Sequence, residues 1–163
     1  MTHNDLEKLN ERVERAALQH SQELARLAFT YVKQTADAED IVQDVFLAYL
    51  RTGPEFRDPE GEKAWLIRCT INRSKDVLKA GWFRNREPIP EDLSYLPKEE
   101  HKVLQEVLAL DAKYRLPIHL YYYGGYAIKE IAAFLGEKET TIGSRLARGR
   151  RILHKKLGGF EDE

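Results

Sequence analysis

One stretch constrains the fold of this chain more than any other: residues 127–157, AIKEIAAFLGEKETTIGSRLARGRRILHKKL. Ile128, Ile131, Ala132 and Leu135 recur at helical spacing and make one apolar face. Gly136 follows, where the backbone must turn sharply and a residue without Cβ is cheapest. A second amphipathic run turns Ile142 and Leu146 inward, with Ile152 and Leu153 further along, while Arg145, Arg148, Arg150, Arg151, Lys155 and Lys156 stay polar. Ala132 stands four residues before the turn glycine, where only a small side chain lets two helices cross closely. This is the layout of a helix-turn-helix whose second helix enters a major groove over Thr140 to Arg148. The bland alternative is an amphipathic hairpin with a solvated basic face. Spacing, glycine and charge asymmetry agree on the DNA-reading layout.

The rest of the chain reads as helical too, and the fold class expected is all-α. Leu6, Leu9, Val13, Ala16, Ala17, Leu24, Leu27, Ala28 and Tyr31 recur at helical spacing, with a break expected near His20 and Ser21. Asp37 begins another helix, and Asp40 puts a second carboxylate in its first turn, where the helix dipole favours it. Val42, Val45, Phe46 and Tyr49 form that helix's stripe, and Gly53-Pro54 ends it. Asp58-Pro59 carries the cap and first-turn proline of a third helix running through Trp65 towards Lys79. Residues 85–97, NREPIPEDLSYLP, hold three prolines and little periodicity and read as a flexible linker. Two small helical domains, 1–84 and 98–163, are therefore expected. In the second, Val103, Leu104, Val107 and Leu108 form one face, and Leu116, Ile118, His119, Leu120 and Tyr122 another.

A net charge of −1 looks wrong for a nucleic-acid binder until it is divided along the chain. Thirteen acidic residues face seven basic ones from Met1 to Glu62. From Ile67 to Arg86, six basic residues (Arg68, Arg73, Lys75, Lys79, Arg84 and Arg86) outweigh Asp76. Seven acidic residues face two lysines from Glu87 to Asp111, and seven basic ones face Glu139 from Lys138 to Leu157. Affinity follows local phosphate neutralisation, so two basic islands imply two contact zones. The acidic stretches weaken binding by the free chain, which a partner covering them would relieve.

The third helix holds the second zone. Ala64, Ile67, Ile71, Ser74 and Leu78 share a core face, while Arg68, Asn72, Lys75, Asp76 and Lys79 lie around the others. Such residues can grip a strand backbone and present guanidinium and amide groups to bases. The loop from Pro54 to Lys63 could receive an unstacked base beside Phe56. A solvated face with packing aromatics is the alternative, and Trp65 reads as core.

Other function classes find little support. No apolar run approaches the about 20 residues that cross a bilayer, and MTHNDLEKLNERVE lacks the layout of a signal peptide. The single cysteine, Cys69, excludes an internal disulfide and a cysteine cluster for zinc, so a cytoplasmic location is expected. There is no glycine-rich phosphate loop, no HExxH and no nucleophile motif, and the five histidines are scattered. Asp40 and Asp44 share a helix face but read better as an interface than as paired acids. No catalytic residue, cofactor or metal is expected.

The runs AEDIVQDVFLAYL, AWLIRCTINRSKDVLK and LPIHLYYYGGYAIKEIAAFLGEKETTIGSRLARGRRIL together resemble a bacterial sigma factor of the sigma-70 family. The closest likeness is to the extracytoplasmic-function (ECF) type, with only sigma regions 2 and 4 and a short linker, over about residues 18–157. The resemblance implies an alternative sigma factor that binds core RNA polymerase and directs promoter recognition, DNA melting and initiation. Domain 1–84 would be region 2 and domain 98–163 region 4. Asp40, Gln43, Asp44 and Phe46 fall where such proteins dock on the β′ clamp helices, carboxylates beside an apolar stripe suiting an arginine-bearing coiled coil. The segment from Phe56 to Lys63 and the helix with Arg68, Asn72, Arg73, Asp76 and Lys79 fall on the part that melts and reads the minus-ten element. In the recognition helix, which starts about Thr140, Ser144 and Arg148 would face bases of the minus-thirty-five element, and Thr141, Arg145 and Arg151 phosphates. The β flap of the polymerase and an anti-sigma factor are further implied partners.

Three residues depart from the family pattern. Gly143 stands where many relatives carry Lys or Arg, Gly149 adds a second helix-weakening residue costing about 1 kcal/mol against alanine, and Glu137 follows the turn glycine where an apolar residue is usual. Two other readings compete: a stand-alone helix-turn-helix regulator that dimerises on palindromic half-sites, and a helical interaction module without promoter selectivity.

Overall fold

A computed structural model describes residues 2–80 and 98–158, with the backbone course alone for 98–101. The linker expected at 85–97, and Arg84 and Arg86 of the first basic island, lie outside the described residues. Every element among the described residues is helical: α1 (His3–Val32), α2 (Thr35–Thr52), α3 (Pro59–Ala80), α4 (Lys98–Ala109), α5 (Ala112–Ile118), a π-helical segment (His119–Tyr123), α6 (Ile128–Leu135) and α7 (Glu139–Lys156). They fall into two compact units, Met1–Arg86 and Glu87–Glu163.

In the first unit α1, α2 and α3 pack mutually. A reciprocal cap starts α1: Thr2 Oγ1 accepts from the Asp5 N–H at 3.1 Å, and the Thr2 N–H donates to Asp5 Oδ2 at 3.3 Å. The break expected near His20 and Ser21 does not occur. The Ser21 hydroxyl donates to the Ala17 carbonyl at 2.5 Å, inside the helix, and Leu24, Leu27 and Ala28 resume the buried register. Helix α2 starts at Thr35 rather than Asp37, so Asp37 is its first-turn acid and Asp40 falls in the second turn. The Ala38 N–H already bonds the Gln34 carbonyl at 3.0 Å, which closes a first turn that contains Asp37 and leaves Asp40 beyond it.

Gly53 ends α2 in the left-handed region at φ 57°, and Asp58 Oδ1 accepts from the Gly61 N–H at 2.8 Å at the start of α3. Helix α3 begins at Pro59, so residues 59–63 are helical and the connection shrinks to residues 53–58. Leu24, Leu27, Ile41, Tyr49, Leu66, Ile67 and Ile71 are fully enclosed. Each such aliphatic side chain contributes about 1.5–3 kcal/mol against exposure.

In the second unit, Leu104, Val107 and Leu108 of α4 are buried, as are Leu116, Ile118, His119 and Leu120. Tyr122 departs from the expected face: it is 53% exposed, between the exposed Tyr121 and Tyr123. The physical reason is the π-helical winding of residues 119–123, in which the Gly124 N–H bonds the His119 carbonyl at 3.0 Å. The wider turn breaks the register that a period of about 3.6 residues assumes. Arg115 is buried, and its Nη1 donates to the Leu108 and Leu110 carbonyls at 3.2 and 3.1 Å, closing the end of α4.

Gly136 turns α6 into α7 at φ 67°. Ile131, Ala132, Ile142 and Leu146 form the core between those two helices, while Ile152 and Leu153 are half-buried. Gly149 is buried where α7 meets α5, and a Cβ there would lie 3.1 Å from Ile118 Cγ1. The residue that reads as a helix-weakening departure is what lets these helices approach.

Candidate nucleic-acid interface

In the first unit, burial of Ile67, Ile71 and Ser74 fixes how α3 sits, and the opposite face is polar. Arg68, Asn72, Arg73, Asp76 and Lys79 are all exposed, together with Lys75. Residues 68, 72, 76 and 79 fall on one line of the helix by their spacing of four, four and three. Arg73 leaves that line towards α2, where its Nε donates to Asp44 Oδ2 at 3.0 Å. The groove between α2 and α3, about 420 Å³, is lined by Asp44, Leu47, Arg51, Cys69, Asn72 and Asp76 among others. The residues expected to meet polymerase and those expected to meet DNA therefore adjoin at Asp44 and Arg73.

On α2 itself, Asp40 and Gln43 are exposed while Asp44 and Phe46 are half-buried. Leu47 at 53% and Leu50 at 38% exposure add apolar surface that the sequence reading passed over. Their signal was available in the sequence, as leucines off the Val42–Tyr49 stripe.

Phe56 is not a free platform. Its ring lies 5.7 Å from that of Tyr49, edge to face, and 5.9 Å from that of Trp65, and Trp65 lies 5.5 Å from Tyr49. The trio is fastened by the Tyr49 hydroxyl, which donates to Glu62 Oε2 at 2.6 Å. Burial first, and then the hydrogen bond and charge of Glu62, push the Tyr49 pKa up to about 12. Sequence reasoning missed Glu62, because a glutamate in a first helical turn ordinarily faces water.

In the second unit, the Glu130 carboxylate accepts from the Ala127 N–H at 2.9 Å and fixes the start of α6. With Ile142 and Leu146 inward, Thr140, Ser144, Arg148 and Arg151 are exposed on α7 and Thr141 and Arg145 are half-buried. Arg145 Nη1 lies 3.4 Å from Glu137 Oε2, so the acid after the turn glycine steadies a basic side chain of the second helix. Arg150 Nη1 donates to the Tyr122 hydroxyl at 3.1 Å, a partner created by the π-helical segment. Among the described residues no helix is long and apolar enough to cross a membrane.

Two helical units, one with a polar line along α3 and one with a helix-turn-helix, are the arrangement that the resemblance to sigma factors implies. Residues 17–84 match the family profile of sigma-70 region 2, and residues 93–153 that of sigma-70 region 4. The chain is 32% identical over 144 residues to the RNA polymerase sigma factor SigV of Bacillus subtilis, covering 85% of this chain and 86% of SigV. It is 30% identical over 145 residues to the ECF RNA polymerase sigma factor SigM of Mycobacterium tuberculosis, covering 85% and 74%. The fold matches that of the sigma factor RpoE of Bartonella quintana, solved with the anti-sigma factor NepR, at a TM-score of 0.75 over 88% of this chain and 95% of that one, at 22% identity. The chain belongs to the sigma-70 family of RNA polymerase sigma factors, and within it to the ECF type. It is an alternative sigma factor whose partners are core RNA polymerase and promoter DNA. A stand-alone helix-turn-helix regulator is not favoured.

Proposed function

We propose that the work of initiation is divided between the units residue by residue. The carrying observation is the pair of exposed polar lines, Arg68–Asn72–Asp76–Lys79 on α3 and Thr140–Ser144–Arg148–Arg151 on α7, each inside a matched sigma region. Residues 1–84 bind core polymerase and hold the minus-ten element, and residues 98–163 read the minus-thirty-five element. Asp40, Gln43, Asp44 and Phe46 dock on the β′ clamp helices, with Leu47 and Leu50 supplying apolar contact beside the carboxylates. The second unit also meets the β flap.

Arg68, Asn72, Arg73, Asp76 and Lys79, with Phe56 and its loop, hold the melted strand. Duplex opening costs stacking, and the sigma factor offsets it by capturing unpaired bases and neutralising their phosphates. The Arg73–Asp44 pair is roughly half exposed, so exchanging it for a phosphate costs little. Ser144 and Arg148 face bases of the minus-thirty-five element, while Thr140, Thr141, Arg145 and Arg151 hold phosphates. One good base contact discriminates by about 1–3 kcal/mol. The protein itself is no enzyme: it positions polymerase, which makes the bonds, and it works in the cytoplasm without a cofactor.

An anti-sigma factor is proposed as a further partner, supported by family membership and by apolar side chains exposed on each unit separately, Leu47 and Leu50 on the first and Tyr121, Tyr122 and Tyr123 on the second. Run-off transcription with alanine variants tests the division. Changes at Arg68 and Asn72 should alter preference only in the minus-ten element, and changes at Ser144 and Arg148 only in the minus-thirty-five element. Mixed or absent effects would reject it.

A further inference from the structure

The first turns of α1 lie ahead of the region-2 match, which begins at residue 17. They nevertheless pack as core: Leu9, Val13 and Ala16 are buried. Arg12 Nη1 donates to the Pro54 carbonyl at 3.0 Å, and its guanidinium carbon lies 5.7 Å from the Tyr49 ring centroid. Arg15 Nη2 is 3.9 Å from Glu62 Oε2. The same few turns thus reach the end of α2, the start of α3 and the connection between them.

That connection has little to hold it from within. Its flanking backbone bonds run from Gly53 to Tyr49 and from Glu62 to Asp58, and Pro54 has no N–H to donate. The Arg12 bond, two residues before Phe56, anchors its backbone from outside, beside the packing of the Phe56 ring on Tyr49 and Trp65. A groove of about 550 Å³ opens beside it, walled by Asp5, Lys8, Leu9, Arg12, Glu55 and Phe56 among others. A guanidinium that bonds a carbonyl and covers an aromatic face constrains both partners.

We infer that Arg12 is a positioning residue for minus-ten recognition, holding the Pro54–Phe56 connection in the conformation that accepts an unpaired base. The first four turns of α1 therefore act on base preference without touching DNA. The inference rests on the proposed role of the Phe56 loop.

The test uses the full chain with core polymerase and a promoter library randomised in both elements. Arg12→Met keeps the side-chain stem and loses the donors; Arg12→Lys keeps a charged donor; Phe56→Ala is run in parallel. The Met variant should lose base preference at one minus-ten position by about tenfold, the worth of one base contact, with minus-thirty-five preference unchanged. The Lys variant should restore part of it, and its partial recovery serves as the readout if the Met variant melts below assay temperature. An Arg12→Met protein with full minus-ten preference, beside a Phe56→Ala protein that has lost it, overturns the brace alone. Unchanged preference in both overturns the brace together with the loop reading. Equal losses in both promoter elements would make Arg12 merely structural and overturn the brace as well.

Discussion

Tyr49 donates its buried hydroxyl to Glu62 Oε2 across 2.6 Å, tying the last turn of α2 to the first turn of α3 on either side of the Phe56 loop. The Tyr49 pKa, raised from 10.0 to about 12, makes this link pH-sensitive. Between those values the unfolded chain gives up the proton and the folded one keeps it, so the contribution is complete below pH 10 and is lost as pH rises towards 12. Urea unfolding of wild type should weaken more steeply over that window than unfolding of Tyr49→Phe. At neutral pH the Phe variant should be less stable by about 1–3 kcal/mol, because Glu62 stays buried without its donor.

Gly143 and Gly149 lie on the same helix and should respond oppositely to alanine. A Cβ at Gly143 meets nothing within 4 Å, so Gly143→Ala should stabilise by about 0.4–1 kcal/mol. At Gly149 the Cβ would press on Ile118 at 3.1 Å, so Gly149→Ala should gain nothing or lose stability. Adding Ile118→Val to Gly149→Ala removes only the Cδ1 contact at 3.2 Å and keeps Cγ1, so it should recover the loss in part at most. Thermal melting of the four proteins checks the pattern; equal gains at both glycines would remove the close-approach account of Gly149.

The ion pair between Arg73 and Asp44 should be energetically slight, since both side chains remain 48% and 42% exposed. A double-mutant cycle in denaturant should give a coupling of about 0.2–1 kcal/mol, falling with salt. A larger coupling would make the pair a structural clamp rather than two groups available to partners.

On α7, Arg148→Ala should relax base preference at one minus-thirty-five position, at a cost of about 1–3 kcal/mol, and Arg151→Ala should weaken binding to all sequences alike. Affinity against salt concentration separates the two, because losing a phosphate contact lowers the salt slope by about 1. An Arg151→Ala protein with altered sequence preference would exchange the proposed roles.

Much of this fold is legible in the sequence because apolar period alone decides which side of a helix faces inward. The buried Ile67, Ile71, Ile131, Ile142 and Leu146 follow it, and Gly53 and Gly136 mark left-handed turns where their chemistry demands them. The same periodicity puts the polar residues of α3 and α7 outward, though exposure does not assign them their contacts. What was not legible depends on tertiary neighbours. The π-helical turn at His119–Tyr123 shifts the register and brings Tyr122 to the surface. Ser21 looks like a helix breaker until its hydroxyl finds the Ala17 carbonyl. Gly149 looks like a weakness until Ile118 lies against it, and Arg115 carries no pattern signal for its two carbonyl partners.

The most direct test of the whole account is run-off transcription from a genomic fragment library by purified core polymerase, with and without this protein. The account predicts new start sites that share two spaced promoter elements and appear only when both components are present. Specific binding to duplex DNA by the protein alone, with no redirection of core polymerase, would contradict it.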